Sequence, residues 1–185
     1  MRTFTLIILW FLTVSIQAQD KEMHIDYSDR VQTLDSTIET LYAVISGEKG
    51  AERNWKLFKY LFKPGAKLIP SGKNSEGRHL VNYLSPDDYI KKSNDWLKEQ
   101  GFFEKEVHRT INTFGNIAHV FSTYEAYNSH IDEKPFMRGI NSIQLLNDGE
   151  RWWIVNLYWS QETEDNPIPE IYSPKKSNAI RYSYE

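Results

Sequence analysis

The sequence predicts an α+β domain in which helices come first and pack on one face of a curved antiparallel sheet. Two observations predict it. From Leu34 to Leu97 the apolar residues recur mainly at three- and four-residue steps, the spacing of an amphipathic helix. From Glu104 to Ser160 the period changes to two, and the turn pairs Gly115-Asn116 and Asp148-Gly149 divide the stretch into four strands of a meander. At 185 residues the chain fits one domain plus a removable segment.

The elements follow in order. "MRTFTLIILWFLTVSIQAQD" has a cation at Arg2, an apolar run from Leu6 to Ile16 and a small residue, Ala18, before the first charges, which is the layout of a secretory signal peptide over residues 1–18. The run is about half of what a membrane span needs, so no stable anchor is expected. Residues 19–33 read as a polar linker. Leu34, Ile38, Leu41, Tyr42 and Ile45 then mark a first helix that stops at Gly47 and Gly50. "AERNWKLFKYLF" repeats the spacing with Trp55, Phe58 and Leu61 or Phe62, and ends before Pro64. "KPGAKLIPSG" reads as a turn and a short strand. The third helix opens on Ser85 as N-cap, with Pro86 at its first position and Asp87 and Asp88 in its first turn, and closes at Gly101. Beyond the last strand, three prolines and no sustained period predict an irregular strap, with residues 173–185 as a tail.

Composition excludes several functions. The net charge of −3 becomes −4 once Arg2 leaves with the signal segment, and the basic residues form no cluster larger than Lys175-Lys176. Nucleic acid is therefore not an expected partner. There is no cysteine, which removes disulfides, thiol nucleophiles and zinc-cysteine sites. H-E-x-x-H, a phosphate-binding glycine loop and G-x-S-x-G do not occur, so no cofactor and no metal is expected. His119 and Glu125 share a strand face, but six residues place them about 20 Å apart, too far for one ion or a direct dyad. Arg138 is the cation expected beside Glu125.

The segments "GFFEKEVHRTINTFGNIAHVFSTYEAY", "RGINSIQLLNDGERWWIVNLYWSQE" and "DNPIPEIY", after the helix-rich "LFKPGAKLIP", resemble an exported bacterial branch of the nuclear-transport-factor-2-like (SnoaL-like) superfamily over residues 34–172. The resemblance implies a cone: three N-terminal helices laid on a strongly curved antiparallel sheet, a cavity between them, and a homodimer through the sheet's outer face. That superfamily includes ketosteroid isomerases, dehydratases, cyclases, an epoxide hydrolase and non-catalytic adaptors, so it supplies a pocket without a reaction. The isomerases' general-base Asp and their Tyr and protonated Asp donors find no matching motif here.

Pairing the last two strands about Asp148-Gly149 sets Leu145 against Trp152, Ile143 against Ile154 and Asn141 against Asn156, with Gly139 opposite Tyr158. One face then grades from apolar to polar, and it supplies the candidate ligand-binding set Asn141, Asn156, Tyr158, Trp152, Ile154 and Ile143, with Tyr42 adding a phenol from the first helix. The alternative is that Asn141 and Asn156 pair in a core. The opposite face would carry Ser142, Gln144, Trp153, Val155, Leu157 and Trp159 as a dimer surface. Pairing about Gly115-Asn116 sets Asn112 against His119, Thr110 against Phe121, His108 against Thr123 and Glu106 against Glu125. His119 and His108 are the candidate catalytic acid/base groups, because imidazole titrates near neutral pH. The reading is an exported dimer that binds a small apolar or amphipathic molecule. The alternatives are a hydrolase, dehydratase or isomerase using one of those histidines, and a non-catalytic adaptor.

Overall fold

A computed structural model describes residues 25–174; residues 1–18, expected as a signal peptide, the start of the expected linker and residues 175–185 of the tail lie outside the described residues. Three α-helices and six strands follow one another as α1 (Leu34–Ile45), α2 (Trp55–Leu61), β1 (Phe62–Lys73), β2 (His79–Val81), α3 (Pro86–Gln100), β3 (Phe103–Phe114), β4 (Ile117–Tyr127), β5 (Met137–Asn147) and β6 (Trp152–Gln161). They build one sheet in the order β2-β1-β6-β5-β4-β3. The meander β3 to β6 is antiparallel as the sequence predicts, and β1 joins it as a parallel neighbour of β6. This is the expected α+β cone, with the three helices over the concave face. Among the described residues no helix is long and apolar enough to cross a membrane.

Caps decide where the helices begin. Thr33 accepts from the backbone N–H of Ser36 at the start of α1, and Ser85 accepts from that of Asp88 at the start of α3, each a reciprocal capping box. Buried Ile38, Leu41, Val44 and Ile45 of α1 meet Phe58 and Leu61 of α2, and Val120, Ile143, Leu145 and Ile154 of the sheet complete the core. The segment expected as a linker is folded from residue 25 onward: Val31 is fully buried, and its carbonyl accepts from the Trp152 N–H at 2.8 Å.

One side chain holds three elements in place. Arg53 donates from Nε to the Ile45 carbonyl (2.8 Å), from Nη1 to Ala51 (2.6 Å), and from Nη2 to Gly47 (2.8 Å) and Leu97 (3.0 Å). A planar fork with five N–H donors satisfies the carbonyls left open at two helix ends. Gly47 is glycine because a Cβ there would stand 2.6 Å from the guanidinium.

Two β-bulges correct the predicted register. The turn expected at Asp148-Gly149 is a four-residue loop closed by the pair Asn147–Trp152, and Asp148 Oδ1 accepts from the backbone of Glu150 (3.2 Å) and Arg151 (3.1 Å). Leu145 pairs with Ile154, but Gln144 pairs with Asn156, so Val155 is extra. A single extra residue exchanges the two faces of the strand beyond it. Leu157 and Trp159 therefore turn inward, not outward to a dimer surface, and Asn156 and Tyr158 turn outward. In the other hairpin the predicted pairs Asn112–His119, Thr110–Phe121 and His108–Thr123 are observed. Val107 then bulges, and Glu106 pairs with Tyr124, not with Glu125, which leaves Glu106 and Glu104 in phase with the concave face.

Candidate functional site

Between the helices and the concave face lies a cavity of about 330 Å³. Its floor is Tyr124, Asn141, Leu157 and Trp159 from β4, β5 and β6; its roof is Leu41 and Ile45 of α1, Phe58 of α2, and Tyr89, Ser93 and Leu97 of α3. Trp96 and Phe136, 46% and 45% exposed, line it as well and mark its mouth. The size falls at the small end of the range for ligand sites, roughly 300–1,000 Å³.

Among the described residues the walls carry one charged side chain, Glu104. It is the second residue of β3, anchored there because its N–H donates to Ser46 Oγ at 3.0 Å just beyond the end of α1, and because Gly47 and Phe102 form a bridge beside it. What surface Glu104 keeps is on a residue that lines the cavity. Its carboxyl accepts one hydrogen bond, from Asn141 Nδ2 at 3.1 Å. Burial raises its pKa from 4.5 to about 7, against the smaller lowering effect of that bond. The same burial, with the Glu104 charge nearby, pushes the Tyr89 and Tyr124 hydroxyls above the usual phenol range.

Behind Glu104 runs a hydrogen-bond chain whose polarity is set from its outer end. Arg109 pairs with both Asp35 (2.6 Å) and Glu106, so Glu106 is an acceptor, and it accepts a hydrogen bond from the Ser122 hydroxyl. Ser122 Oγ must then accept from Tyr42 Oη at 2.6 Å, and Tyr42 Oη accepts from Asn141 Nδ2 at 3.1 Å. Asn141 thus has to present its amide nitrogen to both Tyr42 and Glu104. Tyr42, buried and with its pKa raised chiefly by desolvation, is a fixed link under the cavity and not one of its walls.

Of the residues singled out from the sequence, Asn141 lines the cavity. Ile143 and Ile154 are fully buried core residues, and Trp152 packs partly buried at the hairpin end of β6. Asn156 is on the outer face beside Gln144, at 3.4 Å. Tyr158, on the same face, borders a second depression of about 260 Å³ between the sheet and the C-terminal strap. His119 is bonded to Ser142 Oγ at 2.9 Å, also on the outer face, and His108 pairs with Thr123, whose hydroxyl donates to the Tyr172 carbonyl of the strap. Neither histidine reaches the cavity, because both lie on the turn side of the Val107 bulge with outward parity. Arg138 Nε does stand 3.3 Å from Glu125, and Nη1 stands 3.1 Å from Glu162. Glu104, the group with the most altered acidity among the carboxylates here, was not among the candidates. A signal existed: counted from Phe102, an aromatic residue directly after the α3 stop, Glu104 is in phase with a buried position. Among the described residues no three His, Asp or Glu side chains converge as metal ligands.

Fold and cavity define a class: a helix-covered, bent-sheet cone with a deep apolar chamber and a single carboxyl within it. The chain has the nuclear-transport-factor-2-like fold. It is similar to a protein of unknown function from Mycobacterium tuberculosis (TM-score 0.55, 10% identity, 72% of each chain covered). It is also similar to a nuclear-transport-factor-2-like protein of unknown function from Pseudomonas putida KT2440 (TM-score 0.52, 11% identity, 73% of this chain and 89% of that one). A third is a protein with a cystatin-like fold from Nostoc punctiforme (TM-score 0.53, 8% identity, 72% and 96%). No family model matches the chain, and no curated protein does. At such identities the likeness is one of fold alone.

Proposed function

We propose that this protein binds a small, largely apolar molecule with one polar end inside the cone. The observation that carries this reading is the chamber itself: about 330 Å³ walled by aliphatic and aromatic side chains, with Glu104 and Asn141 as an inner polar pair. Apolar walls with a few placed polar groups are the usual design of such sites. The N-terminal layout supports export to a periplasm or beyond. A homodimer through the outer sheet face is part of the proposal, although the strap around Tyr172, whose ring meets Phe121 edge-on at 4.9 Å, occupies some of that face.

The test is native mass spectrometry of residues 19–185 from a periplasmic extract, followed by a thermal-shift screen against a metabolite library. Ser93→Trp, which fills the chamber from the roof helix, serves as the control. A co-purified or library molecule that raises the wild-type Tm and leaves Ser93→Trp unmoved supports the proposal. A library that moves neither protein, or both equally, overturns it.

One observation favours a second reading, an enzyme. A carboxyl with pKa about 7 can exchange a proton with a substrate at neutral pH, and Glu104, not His119 or His108, would be that acid or base.

A further inference from the structure

The chamber has a charge deficit that the rest of the fold leaves uncorrected. Several other carboxylates of this protein have cations: Asp148 has Lys63, Glu125 and Glu162 have Arg138, and Glu106 and Asp35 have Arg109. Glu104 has only a neutral amide. Among the described residues no lysine, arginine or histidine lines the chamber. The groups facing Glu104 from each neighbouring element are neutral or negative: Tyr42 from α1, Tyr89 and Ser93 from α3, Glu106 beyond it on β3, Tyr124 from β4, Asn141 from β5, and Trp159 and Gln161 from β6. Arg53, buried between α1 and α3, is spent on four backbone carbonyls, and Arg109 is spent on Glu106 and Asp35.

The walls are also the kind that hold a cation. Phe58, Tyr89, Trp96, Phe102, Tyr124, Phe136 and Trp159 are seven aromatic rings around one small space. Phe58 stacks on Tyr89 at 5.3 Å, Tyr89 meets Trp159 edge-on at 6.3 Å, and Trp96 meets Phe102 at 5.8 Å. Ring faces attract a positive charge, most strongly when it is desolvated. A buried carboxylate without a counter-ion is costly, and a ligand that supplies one removes that cost on binding.

We propose that the chamber takes an organic cation, a protonated amine on an apolar body, with Glu104 as its counter-ion and the aromatic walls around its stem. This rests on the small-molecule reading above and names the ligand class. Binding would pull the Glu104 proton off, so affinity for the amine rises as pH climbs through the carboxyl's titration, while a neutral analogue stays level.

Three probes with one skeleton test it: 4-phenylbutylamine, 4-phenylbutan-1-ol and 4-phenylbutanoate, titrated at pH 8 and followed by calorimetry and by quenching of Trp96 and Trp159, both in the chamber wall. The amine is expected to bind at least about tenfold more tightly than the alcohol, the size of one charge-assisted hydrogen bond, and the carboxylate least well. Glu104→Gln, which keeps shape and removes charge, is expected to abolish the amine's advantage. The wild-type profile from pH 6 to pH 8 gives the same answer without a variant: a rise for the amine and none for the alcohol. Equal binding of amine and alcohol, a preference that survives Glu104→Gln, or a flat amine profile overturns the cation assignment and leaves the small-molecule reading standing. If none of the three binds, the cation assignment also falls, and the library screen decides separately whether the chamber binds anything.

Discussion

Asn141 Nδ2 stands 3.1 Å from Glu104 Oε1, and among the described residues that bond is the one hydrogen bond that lowers the pKa of the chamber's carboxyl. Its orientation is imposed from behind, because Tyr42 can only accept from Asn141. Replacing Asn141 with Leu removes the donor and leaves desolvation unopposed. The Glu104 pKa is expected to move upward from about 7, read by carbon NMR of a glutamate-labelled sample; an unchanged value would show that the amide does not tune the carboxyl.

Glu104 also makes stability depend on pH. Its pKa is raised on folding from 4.5 to about 7, so between those values the unfolded chain has lost a proton that the folded chain keeps. Stability then falls as pH rises through this window, is unaffected by this group below it, and levels off above it. The full loss is on the order of 3 kcal/mol. Urea unfolding of Glu104→Gln should lack this slope and show the variant more stable than wild type at pH 8. A variant that keeps the slope would assign it to another group.

Gly139 pairs with Tyr124 across β4 and β5, and a Cβ at Gly139 would stand 2.5 Å from both Tyr124 Oη and the Ser160 carbonyl. Because one obstacle is backbone, the strand itself has to give. Gly139→Ala is expected to cost about 1–3 kcal/mol in urea unfolding, the usual cost of overpacking. It should also push the Tyr124 ring into the chamber and weaken any ligand. Wild-type stability in this variant would mean that the strands separate freely.

Arg53→Lys keeps the charge and loses the fork. A single ammonium cannot reach the carbonyls of Ile45, Ala51, Gly47 and Leu97 together, and the bonds to Ile45 and Leu97 are buried. A loss of about 2–4 kcal/mol is expected. Amide hydrogen exchange should quicken first at the C-terminal ends of α1 and α3. Uniform quickening over the whole chain would instead indicate a global effect.

Capping tests the sequence signals themselves. Ser85→Ala removes the oxygen that receives the Asp88 N–H and should cost about 1 kcal/mol. As α3 contributes Tyr89, Ser93, Trp96 and Leu97 to the chamber, fraying there should also weaken ligand binding. Binding unchanged in a measurably destabilised variant would separate the cap from the site.

By itself the sequence determined the α+β order, the cap at Ser85, the stop at Gly101, the change of period at Glu104, the hairpin register up to Thr123, and the Arg138–Glu125 neighbourhood. Each depends on contacts between residues near in sequence or counted from a tight turn, where backbone geometry repeats without interruption. The tertiary structure decided which face of each strand looks inward beyond the bulges at Val107 and Val155. A bulge leaves no mark in a period-two pattern until the strand must bend around the helices, and that bend is a property of the packed cone. Parity past each bulge is therefore set by what the core accepts: Leu157 and Trp159 are taken in where Asn156 and Tyr158 were expected. On β3 the same inversion brings Glu104 inward, so the carboxyl on which the proposed chemistry depends lies inside the chamber while both candidate histidines remain outside it.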